Sequence, residues 1–217
     1  NGKIGCMLQF LDEASDNPHP ERLQMDPDTG EDRQHLMEAG EISSLIQKLG
    51  DMIYNDNRNA APEQLIFVGI QKGGVPLAER LVKEVSARSG VQYPCGTLDI
   101  AMYRDDIGMR KTLPRILETR MPFDINGKTI VLVDDVLQSG RSIRAALDAI
   151  TYFGRPAVVR LAVLLDRGSR EFPIQGDYVG RAVSVPPERR IRVSWKDFSG
   201  ENDFVYSIPN STIKAAL

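Results

Sequence analysis

The chain has 217 residues, 41% of them hydrophobic and 26% charged, which is an ordinary globular composition and excludes a fibrous or largely disordered protein. The net charge of −3 does not by itself indicate a nucleic-acid-binding protein, and no apolar run is long enough to cross a membrane. The two cysteines, Cys6 and Cys95, have neither metal-ligand nor disulfide-framework spacing, so we expect reduced thiols and a cytoplasmic protein.

Residues 1–40 differ in composition from the rest of the chain. They contain nine acidic and three basic residues, together with several prolines and few large apolar side chains. This composition predicts an extended acidic arm, with the folded domain over residues 41–217. Residue 1 is Asn, so the sequence leaves open whether the native start is missing.

Helical and strand patterns alternate along the folded part. A first helix is indicated by apolar residues at helical spacing: Ile42, Leu45, Ile46, Leu49 and Ile53. Next come an apolar strand over residues 65–70, a glycine-rich turn and an amphipathic helix from about residue 75. Further strands are indicated within 95–103, 129–133 and 157–166, with a helix over 141–153 and short strands within 177–180, 190–195 and 203–208.

This order predicts an α/β protein with a twisted, mainly parallel sheet covered by helices on both faces. Ligands in such folds bind at the carboxyl ends of the strands. Residues 104–124 form a long charged stretch without a clear period, and a loop of that length inside a compact domain is functional or disordered.

The end of the strand over residues 129–133 carries the most informative pattern. Asp134 and Asp135 follow the strand directly, and a turn of small and polar residues then leads into the next helix. Backbone N–H groups and hydroxyls at a helix start bind phosphate. Two carboxylates beside such a turn suit a sugar phosphate, because they accept hydrogen bonds from neighbouring ring hydroxyls and can share a metal ion.

The stretch VLVDDVLQSGRS, residues 131–142, resembles the phosphoribosyl-pyrophosphate (PRPP) motif of type I phosphoribosyltransferases. Other stretches, including GIQKGGVPLAERL, LDIAMYRDD and LAVLLDRGSREFPIQGDYVGRAV, follow in the order of one subfamily, PyrR. The matches run over residues 65–208. They imply the type I phosphoribosyltransferase fold, with a small hood over the base.

The resemblance implies that the protein transfers ribose 5-phosphate from PRPP to uracil, giving UMP and pyrophosphate. Asp134 and Asp135 match the acids that hold the ribose, and Arg104 opens the mobile catalytic loop. The 5′-phosphate would be bound by Gln138, Ser139, Gly140, Arg141 and Ser142. Pyrophosphate would be bound by Gln71, Lys72, Gly73, Gly74 and Arg110.

Base recognition would use Arg167 and the backbone around Tyr178 and Val179. The resemblance also implies Mg²⁺ bound with PRPP, carried largely by substrate oxygens rather than by a protein-only metal site, and a homo-oligomer, either a dimer or a tetramer. One departure is the pyrophosphate loop, which reads KGG where the family usually has TRG.

Two other functions stay open. PyrR proteins can also bind pyrimidine-operon messenger RNA through a basic first helix, but that helix reads QKLGDMI here, so RNA binding is not favoured; Arg155, Arg160 and Arg170 could still form a basic patch. The second alternative is transfer to another base, a purine or orotate. Asp99 is expected to be structural, and Trp195 and Tyr206 are expected to pack in the core.

Overall fold

The computed structural model describes residues 33–105, 116–200 and 202–210. The strands are β1 (Gln34–Met37), β2 (Leu65–Ile70), β3 (Cys95–Leu98), β4 (Thr129–Leu137), β5 (Val158–Asp166), β6 (Tyr178–Ala182), β7 (Arg189–Ser194) and β8 (Phe204–Pro209). The helices are α1 (Ala39–Asn57), α2 (Gly74–Ser89), α3 (Arg141–Ile150) and α4 (Lys196–Ser199). Within these ranges, no helix has the length and apolar character of a membrane span.

Five strands form a parallel sheet in the order β3-β2-β4-β5-β6. The remaining three form an antiparallel sheet in the order β1-β8-β7, which together with α4 we call the hood. The predicted fold class, a parallel sheet with helices on both faces, is confirmed.

The parallel sheet separates two hydrophobic cores, and β4 contributes to both. Val131 and Val133 pack in the core that contains residues of α1 and α2, while Ile130 and Leu132 pack in the core that contains residues of α3. A strand buried on both faces needs a continuous apolar run rather than an alternating one, as the sequence of β4 has. All five apolar residues used to predict α1 are buried.

Three predicted boundaries change. Residues 34–37 pair with β8, and Met37 is buried in the core, so the end of the expected arm belongs to the folded domain. Residues 1–32 lie outside the described ranges. Strand β4 continues to Leu137 because it stays paired with β5 up to Asp166, which places both acids inside the strand. Helix α3 ends at Ile150, where a tighter turn begins with a hydrogen bond from the Tyr152 N–H to the Ala149 carbonyl.

The contact between α2 and β4 depends on the absence of a side chain at Gly74. A Cβ at this position would lie 2.1 Å from the carbonyl oxygen of Val133. The first turn of α2 can therefore approach the central strand only if residue 74 is glycine.

We expect the variant Gly74→Ala to lower the free energy of unfolding by about 3 kcal/mol, because backbone atoms on both sides must move apart. Urea denaturation followed by circular dichroism measures the change. The control is Gly40→Ala in the first turn of α1, where a Cβ would meet nothing within 4 Å. Equal stability of the Gly74→Ala variant and the wild type would contradict the packing argument.

Candidate active site

A cavity of about 880 Å³ lies between the carboxyl ends of β2 and β4 and the hood. Ten residues predicted for the site line this cavity: Gln71, Lys72, Gly73, Arg104, Asp134, Asp135, Gln138, Ser139, Gly140 and Ser142. They come from three separate parts of the chain. The predicted acids and the predicted phosphate-binding residues therefore share one cavity at the expected edge of the sheet.

The two acids occupy successive positions near the end of β4. Asp134 is 9% exposed, and its Oδ1 accepts a hydrogen bond of 3.0 Å from the N–H of Asp135. The carboxylate of Asp135 lies beside Gly73, where a Cβ would be 1.9 Å from Oδ2. Glycine at residue 73 therefore leaves room for the second acid.

Burial raises the pKa of both carboxyl groups. For Asp134 the pKa lies well above its ordinary value, because the group is desolvated and the charge of Asp135 is close. For Asp135 burial again raises the pKa, while the Val136 N–H and the charge of Arg192 oppose the rise. A pair of carboxylates held in this way favours any ligand that brings positive charge or hydroxyl donors.

The residues after β4 form the predicted phosphate loop, residues 138–142. The N–H of Arg141 donates to Ser139 Oγ at 3.3 Å, and α3 starts at Arg141, so the positive end of its dipole faces the loop. The side chain of Arg141 does not line the cavity. Its guanidinium group instead forms ion pairs with Asp105 and Glu171 outside the cavity.

Arg104 connects the start of the predicted catalytic loop to the phosphate loop. Its Nη1 donates to Ser142 Oγ at 2.9 Å, and its charge lowers the pKa of Asp134, against the larger effect of burial. Arg110 lies outside the described ranges. Asp99 is structural, as predicted, because its carboxylate accepts bonds from the N–H groups of Ala101 and Leu117.

The predicted pyrophosphate loop follows β2. Gln71, Lys72 and Gly73 line the cavity, and the peptide bond between Gln71 and Lys72 is cis. Gly74 does not line the cavity, because it packs the start of α2 against β4.

The structure does not bring the three predicted base-binding residues into the cavity. Arg167 is 9% exposed, and its Nη2 donates to the carbonyl oxygens of Pro186 and Arg189, at 3.1 and 2.8 Å. Tyr178 packs with the core that contains α1 residues, and its hydroxyl accepts a 3.4 Å bond from Asn57. The carbonyl of Val179 accepts a bond from Lys48 on α1. These residues are directed toward the hood backbone and α1. Their role as base ligands stays a prediction.

The opposite wall of the cavity is built by hood residues that the sequence reasoning missed: Arg190, Ile191, Arg192, Val193, Trp195, Phe198 and Tyr206. Arg192 lies opposite Tyr206 in the pairing of β7 with β8. Arg190 and Arg192 are two positions apart in β7, so they share one face of the strand. Trp195 packs in the core, as predicted, and Tyr206 is also buried, although both line the cavity.

The phosphoribosyl transferase domain family matches residues 38–189. Solved structures of phosphoribosyltransferases have a similar fold. The structure of a hypoxanthine phosphoribosyltransferase from Trypanosoma cruzi superposes with a TM-score of 0.61 and 20% sequence identity. The match covers 82% of this chain and 97% of the other. For a hypoxanthine-guanine phosphoribosyltransferase of Bacillus anthracis, the shares are 80% and 96%, with a TM-score of 0.59 and 18% identity. The chain is a phosphoribosyltransferase.

Several similar curated relatives belong to one family of phosphoribosyltransferases. The bifunctional protein PyrR of Chloroflexus aurantiacus is 45% identical over 170 residues, which cover 78% of this chain and 92% of that protein. The PyrR of a Roseiflexus species is 44% identical, with 80% and 93% covered, and that of Thermus thermophilus is 43% identical, with 77% and 91% covered. The chain belongs to the PyrR family, as its resemblance predicted.

The raised pKa of Asp134 has a consequence for stability. Between the ordinary carboxyl pKa and the raised one, the native protein binds more protons than the unfolded chain, so the free energy of unfolding decreases as the pH rises through this window. We expect Asp134→Asn to be more stable than the wild type at about pH 8, with a difference that shrinks toward about pH 4. Asparagine keeps an oxygen that can accept the Asp135 N–H bond.

Thermal unfolding at several pH values measures this difference. The control is Asp148→Asn on α3, where the carboxylate is 56% exposed and pairs with Arg144. A variant at residue 134 that is less stable than the wild type at high pH would contradict the stated cost of burying the charge.

Proposed function

We propose that the protein transfers ribose 5-phosphate from PRPP to uracil, with release of pyrophosphate. The observation that supports this most directly is the cavity, in which the two acids of β4 lie beside a phosphate loop at the start of α3. A ligand that carries sugar hydroxyls next to a phosphate group fits this cavity, because the acids accept bonds from the hydroxyls and the loop binds the phosphate.

Within this proposal, the phosphate loop holds the 5′-phosphate through backbone N–H groups and the hydroxyls of Ser139 and Ser142. Asp134 and Asp135 accept hydrogen bonds from the ribose hydroxyls. As the bond between the anomeric carbon and pyrophosphate breaks, positive charge develops on the ribose. The acids stabilise this charge because the strand already holds them beside the ribose before the reaction.

The leaving pyrophosphate is assigned to the loop after β2. Lys72 supplies a positive charge, and Gln71 and Gly73 line the cavity next to it. Mg²⁺ bound with PRPP would neutralise the phosphate oxygens, and the carboxylate oxygens of Asp134 and Asp135 are ligands of the kind it prefers. These carboxylates would contact a Mg²⁺ ion that enters the site together with PRPP.

The base is assigned to the hood side of the cavity. Arg190 and Arg192 offer donors for the two carbonyl oxygens of uracil, and Tyr206, which pairs opposite Arg192, offers apolar surface for the ring. An arginine pair would also suit the carboxylate of orotate, so the choice of base needs a direct assay.

We expect Asp134→Asn and Asp135→Asn each to reduce kcat/KM for uracil about 100-fold or more, because each removes negative charge beside the developing cation. Spectrophotometric assays with PRPP and uracil, orotate, hypoxanthine or guanine measure both the loss and the base preference. Asp148→Asn serves again as the control. Unchanged kcat/KM in both acid variants, or faster turnover with another base, would reject the corresponding part of the proposal.

RNA binding remains a separate hypothesis, and the charges near α1 do not support it. Lys48 donates to the carbonyl oxygens of Val179 and Gly180, and Asp51 pairs with Arg88 at 2.5 Å. Arg160 of the predicted basic patch pairs with Asp177. The homo-oligomer, a dimer or a tetramer, also stays a prediction.

We therefore expect weak, salt-sensitive binding to a pyrimidine-leader hairpin that does not depend on UMP, with a Kd of about 10⁻⁶ M or weaker at physiological salt. Gel-shift titration with and without UMP measures this. Nanomolar binding that tightens with UMP would show that another surface recognises RNA.

A further inference from the structure

A loop that binds phosphate through its N–H groups must keep its carbonyl oxygens turned away from the anion, since these oxygens carry partial negative charge. In the phosphate loop, the carbonyls of Gln138 and Ser139 are both held by residues that follow β5. Arg170 Nη1 donates to the Gln138 oxygen at 2.8 Å. The N–H groups of Glu171 and Phe172 donate to the Ser139 oxygen at 2.9 and 3.0 Å.

Arg170 is the centre of this arrangement. Besides the bond to Gln138, its Nε donates to the Ile174 carbonyl at 2.7 Å, and its Nη2 pairs with Asp166 at 2.6 Å. One guanidinium group thus joins the end of β5, the phosphate loop and residues 171–174. The side chain is 23% exposed, so these bonds are partly shielded from water.

Residues 170–174, which we call the bracing segment, also support the loop by packing. A Cβ at Gly140 would lie 3.3 Å from that of Phe172 and 3.4 Å from that of Ile174, so the loop rests directly on these side chains. The guanidinium of Arg141 pairs with Glu171 and lies 5.4 Å from the ring centroid of Phe172. The outer face of the loop is therefore fixed by bonds, charge and contact.

We propose that Arg170 is a positioning residue for phosphate binding. By holding the Gln138 carbonyl and the bracing segment, it keeps the phosphate loop in the shape that binds the 5′-phosphate that PRPP and UMP share. Arg170 does not line the cavity and so acts through the loop. This inference rests on the proposed function, because it assumes that the loop binds that phosphate.

The chemistry of arginine explains why this residue type stands here. Its planar group donates in several fixed directions at once, whereas a lysine ammonium is a compact point charge on a flexible stem. Lysine at residue 170 could keep the ion pair with Asp166 but could not reproduce the bonds to Gln138 and Ile174 together. From the sequence, Arg170 is a candidate for a basic surface patch. In the structure, however, its guanidinium nitrogens donate to Ile174, Gln138 and Asp166.

The test compares the variants Arg170→Met and Arg170→Lys in steady-state assays with PRPP and uracil. We expect KM for PRPP to rise about 10-fold or more for Met and by an intermediate factor for Lys, because hydrogen bonds from a charged donor are lost. KM for uracil and kcat should stay within about threefold, since the acids and the base side are not touched. The matched control is Arg160→Met, at the other end of β5, where the arginine pairs with Asp177.

A second measurement separates positioning from general stability. UMP should raise the melting temperature of the wild type and of Arg160→Met, and should raise that of the Arg170 variants much less at the same concentration. An unchanged KM for PRPP and a full UMP shift in Arg170→Lys would overturn the inference, even if Arg170→Met does not fold. Equal rises in KM for both substrates would also overturn it, because they indicate a general disturbance.

The same kinetic and melting measurements distinguish a failure of this inference from a failure of the proposed function. A wild type that neither turns over PRPP nor responds to UMP would refute the proposed function and this inference with it. A wild type that does both, with Arg170 variants that behave identically, would refute the role of Arg170 alone.

Discussion

Two adjacent carboxylates near the end of the central strand, Asp134 buried and Asp135 partly buried, are the constraint on which the rest of the site depends. Burial makes their charged forms costly, and the proximity of the two groups adds to that cost. Hydrogen bonds from the Asp135 and Val136 N–H groups and the charges of Arg104 and Arg192 offset this cost only in part. Such a site is poised to gain stability when a ligand supplies the missing positive charge.

Close backbone approach makes this arrangement possible. Gly73 and Gly74 bring the start of α2 against β4, one beside the Asp135 carboxylate and the other beside the Val133 carbonyl. The same contact therefore packs the fold and delimits the site. The phosphate loop follows from the chain path, because β4 must turn at Leu137 to enter α3, and the helix start then lies beside the acids.

Local patterns were enough to predict that the acids and the loop after β4 would lie together at one edge of the sheet. The apolar run of β4, the acids, the turn and the start of α3 are consecutive in sequence, and parallel strands bring their carboxyl ends to one edge. The hood wall of the cavity was not predicted, because it depends on how the hood folds over that edge. Polar and apolar residues alternate in part of strand β7, but this alternation does not predict which cavity either face of the strand will cover. Arg141 and Arg170 show the same limit, since sequence gives their charge but not the partners that hold their side chains.

Acidic and basic side chains lie on different walls of the cavity, which suits a reaction in which positive and negative charge develop on different groups. Asp134 and Asp135 lie on the sheet side, Arg190 and Arg192 on the hood side, and Lys72 at the loop after β2. When ribose and pyrophosphate separate, the ribose becomes more positive and the leaving group more negative. In the proposed reaction, the acids would stabilise the ribose and Lys72 the leaving group without reorganisation, whereas water would have to reorient. A folded domain can hold these charges apart because each wall belongs to a different element: β4, the start of α2 and the hood.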